Sequence, residues 1–446
     1  MVERYLLASA KIIAVLCIAA HVAGSDPYDS LESTSKVVAG RAFVITDGHS
    51  LSPFSFEKVV TAVSSSSADA WLDVFNTTRT TFEQRQAVVP LAGFVAMRGN
   101  VRWLPAASIG WANVRPIAVI NRFDLAPDDY SNCGEYRVIF SHRNGQRRRL
   151  HVAFETVVAN PSPALGKLGC APIAAFWWEL ANLRSDQERA AKLSAFFFDG
   201  IEQLPPVLSR ATFEQYGRVR TSEVGDGRPN FAEFAIRRDC SAFHPCAARL
   251  TRVPLHNTPD GNLFDTNVAG ERGAAFRRDF LRQVQSLARS GVNRYSMSTD
   301  LSYAITDISG VQAGFNYRLP FRRSMRTEAG QQFRDDIAAE LLRIGSALTP
   351  EEIIDRSETQ NCVGCHGKPG PVGGRDVFPS AFETGEHVKD DSTAQAVRLS
   401  PALETVFLPY RISVLRAYVD EVLVQRLVAT TRDHANILNG EEEKKR

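Results

Sequence analysis

The sequence lacks a charge bias. Against 52 basic residues stand 50 acidic ones, for a net charge of +2. That balance gives no push toward nucleic acid or toward an acidic surface. Lysine is scarce, nine in 446 residues, so the basic side is nearly all arginine. Long apolar runs are missing beyond the N-terminus, and no other stretch approaches the roughly 18–20 residues of a membrane helix. Several catalytic signatures are also absent: the Gly-x-Ser-x-Gly elbow, the Walker A loop, Gly-x-Gly-x-x-Gly and His-Glu-x-x-His. With them go the sequence grounds for α/β-hydrolase, P-loop, dinucleotide-binding and zincin chemistry.

What is present is concentrated in one stretch, Asn361-Cys362-Val363-Gly364-Cys365-His366-Gly367. It holds Cys-x-x-Cys-His, the attachment pattern for c-type haem. On a helical turn Cys362 and Cys365 fall at i and i+3, so both sulfurs face one way, and His366 follows on the same side. Two thiols at that spacing suit thioethers to the porphyrin vinyl groups, with the imidazole binding iron from one side. Gly364 leaves space between the sulfurs for the ring edge. With 7 Cys and 9 His in 446 residues, a chance match is expected in about one sequence in 500. The competing readings are a plain disulfide and half of a zinc site. Zinc needs a second thiol pair, and Cys240 and Cys246 are more loosely spaced than a zinc knuckle.

The N-terminus reads as an export signal over residues 1–24. Arg4 and Lys11 carry positive charge, Glu3 dilutes it, Ile12 to Ala20 is apolar, and Val22-Ala23-Gly24 offers small residues for cleavage before Ser25. Leu16 before Cys17 argues against lipidation. A periplasmic or secreted protein is expected, with no membrane span after cleavage; an uncleaved anchor facing outward is the alternative. Export suits both covalent haem and disulfides. Once Cys17 and the haem pair are set aside, Cys133, Cys170, Cys240 and Cys246 remain. Of three possible pairings, Cys133–Cys170 with Cys240–Cys246 is preferred.

Along the chain, Phe56 to Val63 and Ala68 to Phe75 show helical spacing, and Asn76-Thr77-Thr78 is a glycosylation sequon in a secretory host. Strands are expected at Ile117–Ile120, then at Tyr136–Phe140 and Leu150–Val158 around the hairpin signal Asn144-Gly145. Arg147, Arg148 and Arg149 on the return strand read as a solvated edge, or as a dock for an acidic partner. Pro172 to Leu183 reads as a buried helix carrying Phe176, Trp177 and Trp178, and Ser185-x-x-Glu188 as a capping box. Further strands are expected at Glu214–Thr221, Phe231–Arg238 and Ala248–Leu255, then a long helix from Gly270 to Ala288. Leu301 to Tyr317 is ambiguous. From Glu328 the chain is helical, with Phe333, Ile337, Leu341 and Ile344 as one stripe, and Thr349-Pro350-Glu351-Glu352 opens the helix that leads to Cys362. Asp124, Asp128 and Asp129 read as turn residues beside Pro127, with calcium as the sharper alternative. The fold class is α+β, with an antiparallel-rich domain over 25–325, a helical domain over 326–435 and a charged tail over 436–446.

The segment from Thr349 to Val428 resembles a class I cytochrome c domain. It shares a helix running into Cys362-x-x-Cys365-His366, a Gly/Pro loop after it, and Leu415-Arg416-Ala417-Tyr418-Val419, similar to the Leu-x-Ala-Tyr-Leu stretch that packs on the first helix there. The resemblance implies an all-α haem domain with one covalent haem c and His366 as proximal ligand. It stops at the distal ligand. That family supplies a methionine downstream, but the methionines beyond Met1 are Met97, Met297 and Met325, all before His366. His387 is the candidate replacement; a solvent-exposed loop histidine is the plainer reading of it. Met297 or Met325 reaching in, or an open iron face, are the other options, and His434 is a weaker candidate. Arg322, Arg323 and Arg326 are either propionate partners or an ordinary solvated turn.

Three functions follow. The first is electron transfer through one haem to an unknown redox partner protein. The second is a haem-dependent oxidoreductase, peroxidase- or oxygenase-like, with a small-molecule substrate held in the large domain. The third is a secreted binding or structural protein in which Cys-x-x-Cys is only a crosslink.

Overall fold

The computed structural model describes residues 43–64, 114–144, 148–201, 204–225, 228–241, 244–267, 270–291, 293–294, 296–305, 307–308, 316–361, 388–391, 396–400 and 403–422. The expected helix at Ala68–Phe75, the sequon and the signal lie outside these residues.

One antiparallel sheet dominates. Its strands are β1 (Val44–Ile45), β2 (Val114–Arg122), β3 (Asn132–Asn144), β4 (Arg148–Ala159), β5 (Arg218–Gly225), β6 (Arg228–Ser241), β7 (His244–Val253) and β8 (Asp307–Ile308). β1 to β7 lie side by side in chain order, and β8 adds to β6. The two strands read around Asn144-Gly145 pair, with Asn144 opposite Arg148, while residues 145–147 lie outside the described residues. The return strand is not an edge, however. β4 pairs with β3 on one side and β5 on the other, because the chain keeps adding strands in the same direction.

Period-two alternation gives the sheet two different faces. Val138, Phe154, Val219 and Phe234 stand opposite one another across β3 to β6 and are all buried. One residue along, Arg137, Glu155 and Arg218 form the matching row on the other face. The apolar face is covered by helices: α1 (Phe56–Ser64), α2 (Ala171–Asn182), α3 (Asp186–Ser194) and α4 (Arg210–Tyr216). Phe56 of α1 meets Phe140 and Phe154 edge-on. Trp177 of α2 stacks on Tyr136 at 5.6 Å, and Phe176 stacks on Phe196 at 4.6 Å. The aromatic run of α2 is therefore core. Ser185 accepts the Glu188 N–H at 3.2 Å to start α3, and the chain widens at Ala195–Asp199 before Gly200, at φ +84°, ends it. Residues Glu214 to Tyr216 are helical rather than strand, because Ser209 caps a turn that carries Phe213 into the core.

Cys133 and Cys170 form the expected disulfide, with Cα atoms 5.5 Å apart. Beside it Gly134 sits at φ +88°, where an added Cβ would lie 2.4 Å from the Arg122 carbonyl oxygen. Cys240 and Cys246 lie on the adjacent strands β6 and β7 near their hairpin end, and their side chains are outside the described residues.

A second apolar core belongs to the helices α5 (Gly270–Leu281), α6 (Val284–Leu287), α7 (Arg318–Ser324), α8 (Glu328–Arg343) and α9 (Pro350–Glu358). Phe264, Phe276, Phe280, Phe321, Phe333 and Ile353 meet there. The single helix expected from Gly270 to Ala288 is two, separated after Leu281. β9 (Val388–Asp391) and β10 (Ala396–Leu399) pair as an antiparallel ribbon, a β element in a stretch read as helical. Residues 408–422 then form α10. Its Leu415, Tyr418 and Val422 join the core of the sheet. Tyr418 meets Phe123 edge-on at 4.7 Å and donates its O–H to the Lys167 carbonyl at 2.6 Å. The described fold is thus mixed α+β, and the last helix closes back on the sheet.

Candidate functional site

The helix α9 is the stem of the Cys-x-x-Cys-His stretch. Both halves of its capping box form: Glu352 N–H donates to Thr349 Oγ1 at 3.3 Å, and Thr349 N–H donates to Glu352 Oε2 at 2.7 Å. Pro350 occupies the first turn, and Ile353 and Ile354 anchor the helix in the second core. After Glu358, turn bonds from Gln360 and Asn361 carry the chain to Asn361, which is buried and directly precedes Cys362. Cys362, Cys365, His366 and His387 lie outside the described residues. The described chain resumes at Val388 in β9, which lies against β2. The stretch holding all four residues therefore leaves from the helical core and returns at the sheet.

A buried polar group surrounds α9. Asp355 is buried, with Arg318 Nη1 3.6 Å away on α7. Burial pushes the Asp355 carboxyl up to about 6 against the pull of Arg318, and the neighbouring Glu358 adds repulsion. Glu358 Oε2 accepts the Tyr317 N–H at 3.0 Å, tying α9 to the start of α7. Arg356 donates to the carbonyls of Leu287 and Arg289 at 2.9 and 2.7 Å. Arg322, Arg323 and Arg326 are exposed at α7 and just after it, and Arg323 Nε lies 3.4 Å from Asp265. The cation that reaches into the stem is Arg318, which sequence reasoning missed. Asp355 follows two buried isoleucines, so nothing in the helical period marks it as a buried acid.

The second polar concentration lies on the face of the sheet away from the aromatic core. It runs as a chain of alternating charge over β2 to β6. Arg122 Nε pairs with Asp124 at 3.0 Å, just beyond β2. On β3, Arg137 pairs with Glu135 and lies 3.5 Å from Glu155 of β4. Arg220 of β5 then bridges Glu155 at 2.9 Å and Glu233 of β6 at 3.0 Å, and Arg218 reaches Glu233 at 3.2 Å. Glu233 also accepts the His256 N–H at 3.1 Å, where the chain leaves β7 for the helical core. The carboxyls of the chain differ. Burial pushes Glu135 up, but Arg137, Arg220 and Arg122 outweigh it and hold the group below the usual carboxylate range. Burial dominates at Glu155 and raises it, with Glu135 and Glu233 adding repulsion against Arg137 and Arg220. The sequence shows only charges two apart, Glu135 with Arg137 and Arg218 with Arg220, which places each pair on one strand face and leaves the partners across strands unspecified.

Asp124 is paired with Arg122, and Asp129 accepts the Ser131 N–H at 2.9 Å, so both act as turn residues. Among the described residues no group of three or more His, Cys, Asp and Glu is arranged to hold a metal ion. Among them, too, no helix is long and apolar enough to cross a membrane. No protein-family model matches the chain, and no curated protein or solved structure shows a significant similarity to it. The chemistry of the Cys362, Cys365 and His366 donor set fits a covalently held haem iron, two soft thiols for the ring and one imidazole for the metal.

Proposed function

We propose that the chain is an exported c-type haem protein that transfers electrons through one covalently bound haem. The observation that carries the reading is Cys362-Val363-Gly364-Cys365-His366. Cys362 and Cys365 would hold the porphyrin, His366 would be the proximal iron ligand, and His387 is the candidate distal one. The Cys133–Cys170 disulfide supports the compartment, because stable disulfides and haem attachment share an oxidising environment. When bound, the haem supplies a one-electron iron couple. The residues of this chain hold its stem: the capping box fixes the start of α9, and Arg356 and Glu358 fix its end to neighbouring backbone. A redox partner protein is implied. In-gel haem staining after denaturation, on protein matured with attachment machinery, tests the reading: a stained band supports it and an unstained band refutes it.

A second reading, haem-dependent oxidation of a small molecule, is favoured by one observation. No methionine follows His366, so the usual sixth ligand is missing from the expected place. EPR of the oxidised protein separates the two. A low-spin signal that His387→Ala abolishes marks a closed, electron-carrying site. A high-spin signal marks an open iron face and the oxidoreductase.

A further inference from the structure

The ion-pair chain on the sheet is layered in depth. Three of its acids lie at the bottom: Glu233, Glu155 and Asp124 side chains are 1%, 5% and 6% exposed, while Glu135, at 19%, lies level with the arginines. Its arginines lie above those three, Arg122, Arg137, Arg220 and Arg218, between 18% and 34% exposed. The buried carboxylates therefore orient a set of guanidinium groups whose outer edges reach solvent. We infer that this face, over β2 to β6, is a binding site for a small oxyanion, a carboxylate or phosphate carried by a small molecule. The site is independent of the haem reading.

Three features support it. The first is spare donor capacity. A guanidinium carries five N–H donors. Arg137 uses its Nε toward Glu135 and Glu155, and its two terminal amino groups make no hydrogen bond among the described residues. Arg218 uses its Nε toward Glu233 and Nη1 toward the Gly217 carbonyl at 2.8 Å, leaving Nη2. The second is preorganisation. These side chains rise from paired strands, with Arg137 opposite Glu155 and Glu155 opposite Arg218, so their bases are fixed by the ladder. Strands about 4.8 Å apart set Arg137 and Arg218 on β3 and β5 roughly 10 Å from each other. That is a span for a molecule with two anionic groups, one taken by Arg137 and one by Arg218. The third is exposure. Four arginines face Asp124, Glu135, Glu155 and Glu233, and the three most deeply buried of these eight groups are the acids Glu233, Glu155 and Asp124, so solvent meets mainly guanidinium.

The test uses the full-length protein. Citrate and inorganic phosphate are titrated separately at constant ionic strength set with sodium chloride, and binding is read by calorimetry and by the unfolding temperature. The expected result is a saturable heat and a rise in unfolding temperature for at least one of them. Binding to citrate alone assigns a polycarboxylate, and binding to phosphate alone assigns a phosphate ester. Arg137→Gln and Arg218→Gln each weaken binding tenfold or more, whereas Arg282→Gln, at an exposed site paired with Asp279, leaves it unchanged. Arg218→Lys, which keeps the charge and loses the fork, weakens it several-fold with an unaltered circular dichroism spectrum. The inference is overturned if neither anion does more than the chloride control. It is also overturned if a folded Arg137→Gln/Arg218→Gln double variant binds as tightly as the parent.

Discussion

At the scale of single residues, Asp355 beside the stem and Glu135 on the sheet face shift in opposite directions. Asp355 has a folded-state value raised to about 6 from 3.8 by burial, so its neutral form is the one the fold favours. Its contribution is fully present below pH 4 and is lost as pH rises through about 6. Asp355→Asn should therefore raise stability by about 2 kcal/mol above pH 7, a value kept below the full shift because Arg318 loses its carboxylate partner. Near pH 4 the gain should vanish. Denaturant midpoints measured across that range check it, and an equal effect at both ends would contradict it. Glu135 has the reverse sign. Its arginines hold it low, so its contribution is present at neutral pH and is lost as pH falls through its depressed value. At pH 7, Glu135→Gln should cost about 1 kcal/mol, and Glu155→Gln less, because burial already favours a neutral group there. Unfolding of the two variants side by side gives the ranking.

At the scale of elements, caps and hairpins were the most legible features. Thr349, Pro350 and Glu352 announce α9 because each satisfies a particular end group, and both reciprocal bonds form. Asn144-Gly145 marks where β3 gives way to β4, and the two strands pair on either side of it. Thr349→Ala should cost about 1 kcal/mol, read as a lower unfolding midpoint of the helical core with the sheet unaffected. What local pattern does not encode is which element comes to lie beside which. Arg147 to Arg149 look like an edge because they are charged, yet β4 is interior, since β5 is supplied more than 50 residues later in the chain. Glu214 looks like part of a strand, but the Ser209 cap takes it into a helix. Tyr418 shows the same gap. The resemblance to cytochromes predicts that it packs on the first helix, whereas it packs on Phe123 and Tyr130 beside the disulfide.

At the scale of the whole molecule, two cores share one covalent return path. The chain passes from the sheet to the helical core, and comes back through β9, β10 and α10 to the sheet. The Cys133–Cys170 crosslink stands where that return is received. It closes a separation of 37 residues, which on chain-entropy grounds contributes about 4 kcal/mol. A Cys133→Ala/Cys170→Ala variant should lose stability by that order in denaturant titration, and unreduced and reduced parent protein should differ in the same direction. The α+β class was legible because apolar spacing changes from period two to helical spacing along the chain; that residues on both sides of position 325, such as Phe280 and Phe333, share one core was not. The ion-pair chain was not, because pairing Glu155 with Arg137 and Arg220 depends on the register of three strands.

The central claim is that two sulfurs of this chain carry a porphyrin. The most direct measurement is the intact mass of protein matured with haem-attachment machinery, taken after denaturation, beside the same preparation of Cys362→Ser/Cys365→Ser. The account predicts a parent heavier than its polypeptide by one haem and a variant at polypeptide mass. A parent at polypeptide mass, from correctly exported material, would contradict it.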